Sequence, residues 1–173
     1  MKRQYAISVI VAFLATLGCN AQPRTINRAT VTTLDINRYM GKWYEIARFD
    51  HRFERNIEEC QAFYAQLPDG SIRVVNSGIS SKNGRYKSAV GKAKSGKQPG
   101  QLRVSFFWIF YADYNILALD DNYKWALVGS HSPKYLWILA RSPQLDEATR
   151  QHIVDIARDR GYDTDELIWV RQL

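Results

Sequence analysis

The chain has 173 residues, a length typical of one domain. Its hydrophobic fraction of 46% and charged fraction of 24% are those of a folding globular chain, which excludes a disordered tail. The 24 lysines and arginines exceed the 17 acidic residues but form no long basic run, so no nucleic-acid partner is predicted. Two cysteines are too few for a disulfide scaffold or a four-thiolate zinc site, and neither a metal nor a cofactor is predicted.

Residues 1–18 predict a secretory signal, because a basic start is followed by an uncharged stretch shorter than the roughly 20 residues of a transmembrane helix. The stretch ends in Gly18 and Cys19, which resemble a bacterial lipoprotein processing site, where the cysteine becomes the lipidated N-terminus. Ordinary cleavage nearby and an unmodified Cys19 remain alternatives. Polar residues 19–34 are interpreted as a flexible tether, and residues 35–173 as one folded domain.

The body of the chain predicts an all-β domain. Short aromatic and β-branched runs alternate with clusters of Gly, Pro, Asn and Asp, which is typical of an antiparallel barrel or sandwich. Eight strands are predicted at residues 42–49, 59–67, 71–77, 86–94, 101–107, 114–119, 124–129 and 135–140. Helical spacing then predicts one helix from Leu145, capped by Asp146 and ended by Gly161, and a last short strand at residues 167–170.

Three short motifs occur in order along the chain: GKWYE at residues 41–45, LDDNY at residues 119–123 and LWILARSP at residues 136–143. Together they resemble the three motif regions of the lipocalins. The segments 43–49 and 53–55 resemble most the bacterial outer-membrane lipocalins and their apolipoprotein D-like relatives. The resemblance implies an eight-stranded antiparallel up-and-down β-barrel, closed at one end, with the C-terminal helix packed on its outside.

The resemblance also assigns structural roles to four residues. It places Trp43 at the closed end, with Arg141 stacked on its indole, and Gly41 where the chain enters the first strand tightly. Asp120 lies in a turn that departs from the usual Thr-Asp-Tyr of the family. None of these four residues is expected to be catalytic.

Counting inward from Trp43 with the period of a strand, and aligning the other strands on the family motifs, predicts which side chains line the lumen. The predicted ligand-binding residues are Glu45, Ala47, Phe49, Tyr64, Val74, Asn76, Val104, Phe106, Tyr114, Ile116, Ala126, Val128, Trp137 and Leu139. For each of them the alternative is ordinary packing of the barrel core. The carboxylate of Glu45 meets either a polar group of the ligand or neighbouring Tyr and Arg side chains.

The function favoured by these features is binding, storage or transport of a small hydrophobic ligand, a fatty acid or a lysophospholipid. Its headgroup would meet Tyr64, Tyr114 or basic residues at the mouth such as Arg52, Arg55 or Lys82. A lipid anchor makes the membrane a second partner. Asn20 takes the place of the aspartate that retains lipoproteins in the inner membrane of enteric bacteria, which favours the outer membrane.

Two other classes are weaker. An enzyme is not predicted, because no nucleophile or zinc-protease motif accompanies the three histidines, His51, His131 and His152. The other weaker class is an envelope scaffold without a ligand. The aromatic run at residues 106–111 gives it slight support, because six consecutive large apolar side chains cannot all face a lumen. Part of this run is expected to contact lipid during ligand exchange, or to form a homodimer contact. The lone Cys60 is interpreted as structurally inert.

Overall fold

A computed structural model describes residues 25–107 and 109–173 of the chain. The predicted signal at residues 1–18, the predicted lipid attachment at Cys19 and Trp108 lie outside the described residues. Among the described residues, no helix has the length and apolar character needed to cross a membrane.

The described elements are nine strands, two α-helices and a short 3₁₀ helix at Thr164–Glu166. In chain order they are α1 (Ile36–Tyr39), β1 (Gly41–Arg48), β2 (Ile57–Gln66), β3 (Ile72–Ser80), β4 (Tyr86–Ser95), β5 (Gln101–Phe107), β6 (Phe110–Leu119), β7 (Trp125–Gly129), β8 (Leu136–Ala140), α2 (Glu147–Asp159) and β9 (Ile168–Trp169). Consecutive strands from β1 to β8 pair antiparallel, and β1 also pairs with β8. The predicted eight-stranded up-and-down barrel is therefore confirmed.

Strand β6 begins at Phe110, earlier than the predicted start at residue 114. Its first residues continue the ladder with β5, since Phe107 lies opposite Phe110 and Val104 opposite Ala112. The two residues that separate these strands in the sequence include no Gly, Pro, Asn or Asp, so no sequence signal marked the end of one strand and the start of the next.

The C-terminal helix lies against the outside of the barrel, as predicted. The Asp146 side chain accepts a hydrogen bond from the Thr149 backbone N–H at 2.8 Å and caps the start of α2, while Gly161 follows the helix with a φ of 93°. Ile153 and Ala157 of α2 are completely buried, and they pack against outward side chains of β1, β7 and β8. Strand β9 then pairs with the end of β1, outside the barrel.

The described part of the predicted tether, residues 25–34, differs from a flexible chain because it is hydrogen-bonded to the barrel. Its Val31 N–H donates to the Ile116 carbonyl at 3.0 Å. The Arg160 guanidinium, at the end of α2, donates to the carbonyls of Asn27, Ala29 and Leu117 at 3.2, 2.8 and 2.6 Å. These bonds satisfy backbone groups of a polar segment that contains no secondary structure.

The closed end of the barrel is held by Arg141. Its guanidinium carbon lies 3.8 Å from the centre of the Trp43 ring. Its two terminal nitrogens donate to the carbonyls of Lys42 at 2.7 Å and Arg38 at 2.6 Å, and its Nε donates to the carbonyl of Tyr123 at 3.4 Å. One side chain thus joins α1, β1 and the turn between β6 and β7.

Gly41 and Asp120 complete this end. Gly41 has a φ of 89°, where a side chain would be strained, and a Cβ there would lie 3.5 Å from Arg141. The Asp120 carboxylate accepts hydrogen bonds from the backbone N–H groups of Asn122 and Lys124, so it shapes the β6–β7 turn.

We expect Arg141→Ala to lower the free energy of unfolding by about 2–3 kcal/mol, because it removes both the ring contact and the bonds to three backbone carbonyls. Urea unfolding measures this change. Arg150→Ala is the matched control: Arg150 also lies over a tryptophan, Trp169, at 4.4 Å, but both are on the surface. Equal losses in the two variants would contradict a special role of Arg141.

Candidate ligand-binding site in the barrel lumen

Inward side chains of all eight barrel strands form one continuous apolar cluster. Its floor is built by Trp43 and Tyr39, both completely buried, and the Trp43 indole N–H donates to the Tyr39 carbonyl at 2.8 Å. Ten predicted lining residues belong to this cluster: Tyr64, Val74, Val104, Phe106, Tyr114, Ile116, Ala126, Val128, Trp137 and Leu139. Glu45 and Asn76 lie at inward positions of the same strands as Trp43 and Val74.

Burial changes along the barrel. Near the floor, Ile72, Val74 and Leu102 are at most 2% exposed. Toward the other end, Val104, Phe106 and Trp137 point inward but remain partly exposed. The lumen is therefore sealed by apolar packing at the floor and keeps accessible apolar surface near its open end.

Three tyrosines form a hydrogen-bonded chain above the floor. The Tyr114 hydroxyl lies 2.7 Å from that of Tyr39 and 3.0 Å from that of Tyr64. Burial raises the pKa of all three phenols, so they stay neutral. Tyr64 and Tyr114, considered as headgroup contacts, are thus engaged with each other deep in the barrel.

Two predicted lining residues, Ala47 and Phe49, do not face the lumen. They pack outside the barrel in the cluster that contains Ile153 and Ala157 of α2. The reason is a β-bulge between Glu45 and Ala47, where β1 shifts register against β8. One extra residue reverses the alternation beyond it, so Arg48 takes the inward position.

Arg48 is the centre of a buried polar group near the open end. It is 5% exposed, and its Nη1 donates to the Glu45 carboxylate at 2.6 Å. Nη1 also approaches the Cys60 sulfur at 3.6 Å, while Nη2 donates to the carbonyls of Glu54 and Ile57 at 2.8 and 3.1 Å. The guanidinium thereby ties the β1–β2 loop down over the mouth of the barrel.

A second buried carboxylate, that of Glu54, lies beside this group. It accepts a hydrogen bond from the Trp137 indole N–H at 3.1 Å, and His51 Nε2 lies 3.1 Å from it. The two carboxylates face a single guanidinium. Burial, and then the charge of Glu54, raise the pKa of Glu45 to about 8 against the opposing effect of Arg48, and burial also raises the pKa of Glu54.

The other titratable side chains of this group are held neutral. Burial, and then the charge of Arg48, lower the pKa of His51 to about 4, and burial raises the pKa of the Cys60 thiol. His131 lies in the β7–β8 loop and His152 on α2, so the three histidines are not brought together. Among residues 25–107 and 109–173, no three His, Cys, Asp or Glu side chains are placed to hold a metal ion.

The open end carries an apolar rim, defined here as Phe53, Tyr86, Phe107, Ile109 and Phe110. Each is at least 65% exposed. Exposed basic residues stand in the same group of loops, among them Arg52, Lys82, Arg85 and Lys134. Arg55, another proposed headgroup contact, is engaged by the Asp50 carboxylate. The run at residues 106–111 is thus divided, with Phe106 inside the barrel and Phe107 and Phe110 on the rim.

Sequence reasoning missed Arg48, His51 and Glu54 as members of the site. Strict period-two counting places Arg48 outside the barrel, and only the bulge turns it inward. His51 and Glu54 lie in a loop, which has no alternation to indicate its inward side. The available signal was chemical: a charged residue inside an otherwise apolar strand, followed by a loop rich in charges and aromatics.

The barrel, its sealed floor and its apolar lumen have the architecture of proteins that hold one small hydrophobic ligand. A family model of a lipocalin-like domain matches residues 34–172, and the chain belongs to the lipocalin family. It is 39% identical to outer membrane lipoprotein Blc of Vibrio cholerae, over 96% of this chain and 98% of that protein. It is 38% identical to outer membrane lipoprotein Blc of Escherichia coli, over 96% and 95%.

The fold also matches solved lipocalin-type barrels. The structure of insecticyanin from Manduca sexta aligns with a TM-score of 0.69 over 85% of each chain, at 21% identity. At that identity the likeness concerns the fold alone. The bacterial relatives cover nearly the whole chain, and both of them are named as outer membrane lipoproteins.

The carboxylate pair makes the stability of the protein depend on pH. Glu45, whose pKa rises from its usual 4.5 to about 8 on folding, contributes stability below pH 4.5 that is lost as the pH rises through 8. His51 acts oppositely between about pH 4 and 6.5. We therefore expect the free energy of unfolding to fall between pH 6.5 and 8, by at most about 1.4 kcal/mol per pH unit.

Urea unfolding at several pH values tests this dependence. Glu54→Gln should weaken the slope, because it removes the second negative charge that raises the pKa of Glu45. Glu58→Gln is the control, since Glu58 is paired with Arg171 on the surface, and it should leave the slope unchanged. Identical slopes in all three proteins would show that the two buried carboxylates are not coupled.

Proposed function

We propose that the protein binds the acyl chain of a fatty acid or a lysophospholipid in the upper half of the barrel lumen. The observation that carries the proposal is the change in burial along the inward cluster: a sealed floor at Trp43, and accessible apolar side chains at Val104, Phe106 and Trp137. Buried methylenes contribute about 0.8 kcal/mol each, so ten would supply roughly 8 kcal/mol before the costs of ordering the ligand.

Anchoring through a lipidated Cys19 is part of this proposal. Cys19 stands six residues before Thr25, which lies beside Gly161 at the end of α2. A fully extended connection of that length reaches about 20 Å. The barrel would then stay close to the membrane surface, where ligands with long acyl chains reside.

The apolar rim supports a role at the membrane as well. Exposed large apolar side chains grouped at one end of a barrel are unusual in a monomer that meets only water. Phe107, Ile109 and Phe110 occupy the β5–β6 turn, next to the inward Phe106. A rim that enters the lipid surface would let an acyl chain pass between bilayer and lumen without crossing water.

We expect Val104→Trp to reduce the affinity for palmitate and for a palmitoyl lysophospholipid at least tenfold, because the indole would occupy the space of the acyl chain. Native mass spectrometry with ligand titration measures the affinity. Val90→Trp adds the same side chain on the outer surface of β4 and is the matched control. Equal affinities of both variants and the unsubstituted protein would contradict binding in the lumen.

We expect the double substitution Phe107→Ser and Phe110→Ser to slow transfer of a fluorescent fatty acid to lipid vesicles several-fold, with little change of affinity in solution. The control is Phe63→Ser with Val90→Ser, which removes exposed apolar side chains from the barrel wall instead of the rim. A transfer rate that both double variants share with the unsubstituted protein would exclude a role of the rim in exchange.

A further inference from the structure

The buried polar group at the mouth has one cation for two carboxylates. The four hydrogen bonds of the Arg48 terminal nitrogens go to the Glu45 carboxylate, the Cys60 sulfur and two backbone carbonyls. None reaches the Glu54 carboxylate, although the Glu54 side chain is only 15% exposed. The charge of Arg48 opposes the effect of burial on the pKa of Glu54, but within the described part of the chain no cation hydrogen-bonds to its carboxylate directly. A largely buried carboxylate in this setting either keeps a proton or receives a cation from outside.

The neighbours of Glu54 within the described residues do not supply that cation. Trp137 gives it one neutral hydrogen bond. His51 is 6% exposed, and its low pKa keeps it uncharged at pH 7. Its Nε2 lies 3.1 Å from the Glu54 carboxylate but off the line of a hydrogen bond, so both ring nitrogens are buried without a hydrogen-bond partner among the described side chains.

Aromatic rings are grouped around Trp137 and His51, the two side chains that contact this carboxylate. Tyr135 and Trp137 are stacked with their centres 5.9 Å apart, and His51 lies 5.1 Å from the Trp137 ring and 4.2 Å from the Phe53 ring. Trp137 also belongs to the lumen cluster and remains partly exposed. Indole and phenol faces attract cations, and a carboxylate next to them is the combination that recognises an ammonium group.

We propose that Glu54 and Trp137, with Tyr135 and His51 around them, bind the ammonium group of a ligand whose acyl chain lies in the lumen below. This inference rests on the proposed function and specifies the end of the ligand that stays at the mouth. The carboxylate of a free fatty acid would be repelled by the Glu54 carboxylate there. Arg48 would not offset this repulsion, because its guanidinium is already engaged by Glu45. The preferred ligand class therefore carries a positive charge above its acyl chain.

Binding of an ammonium group has a consequence for protons. The titratable side chains around Glu54 come from β1, from β2 and from its own loop, whereas β8 contributes only Trp137. They are Glu45, Arg48, His51, Cys60 and Tyr64, together with Tyr135, which precedes β8 and stacks on Trp137. The carboxyl groups of Glu45 and Glu54 hold the proton that a bound cation would displace. Binding of an ammonium ligand near pH 7 should thus release a proton, and binding of a neutral ligand should not.

The first experiment compares three ligands with the same sixteen-carbon chain: palmitoyl lysophosphatidylcholine, palmitate and monopalmitoyl glycerol. Glu54→Gln keeps the size of the side chain and an oxygen for Trp137. We expect it to lower the affinity for the lysophospholipid about tenfold and to leave the affinity for monopalmitoyl glycerol within twofold. Glu58→Gln, a surface carboxylate paired with Arg171, is the control and should change neither.

Hexadecylamine distinguishes the two sources of an ammonium group. A Glu54-dependent affinity for both hexadecylamine and the lysophospholipid supports a site for any long-chain ammonium. Dependence for the lysophospholipid alone supports a site for the headgroup of a lipid. Equal losses for all ligands in Glu54→Gln, or no loss for any, overturn the proposal.

Calorimetry of the unsubstituted protein gives a test that no substitution can obscure. Titration at pH 7 in two buffers of different ionisation enthalpy measures proton release directly. Release with the lysophospholipid and none with monopalmitoyl glycerol supports the ammonium site, and equal release with both overturns it. If none of the sixteen-carbon ligands binds, the proposed function itself fails, and the ammonium site fails with it.

Discussion

The stacking of Arg141 on Trp43 decides which end of the barrel is closed. A barrel of eight strands has two open rims, and its interior is wide enough for side chains or one small ligand. At one rim the guanidinium binds carbonyls of α1, β1 and the β6–β7 turn, and the indole beneath it fills the interior. Any accessible interior surface is therefore confined to the other half, and this asymmetry makes a binding site out of a packed core.

The bulge in β1 has the next largest effect, because it introduces charge into an apolar interior. Beyond it, Arg48 points inward and meets Glu45, and the loop that Arg48 holds brings Glu54 against Trp137. Burying such groups opposes folding, and an apolar replacement of similar volume would often be at least as stable. These charged groups lie at the mouth and not at the floor, which is where the polar end of the proposed ligand would lie.

The molecule is thus organised along one axis. The floor is rigid and apolar, the lumen above it is apolar and partly accessible, the mouth combines carboxylates with aromatic rings, and the rim beyond it is exposed and apolar. An acyl lipid has the same order of chemistry, with a hydrocarbon chain that ends in a polar head. In the proposed function, the rim would face the lipid surface, and the proposed anchor at Cys19 would keep the protein close to it.

The sequence by itself determined the strands, their number and the external helix, and the resemblance of its motifs to the lipocalins placed the floor at Trp43. These features depend on local patterns: alternation, turn residues, the cap at Asp146 and the glycines at positions with a positive φ. Alignment on the family motifs identified most lumen residues, and the alignment holds because side chains alternate strictly along regular strands such as β3 and β7. Residues 25–34 and the start of β6 were misjudged, because their order comes from hydrogen bonds to distant parts of the chain.

Only the tertiary structure decided the chemistry of the mouth. A bulge is a mismatch between two paired strands, so β1 alone contains no sign that Ala47 and Phe49 turn outward and Arg48 turns inward. The place of Glu54 depends on a loop folding back onto Trp137, 83 residues away in the chain. Local pattern determines which residues alternate, but the side they face, and the charges they meet, follow from the register of the closed sheet.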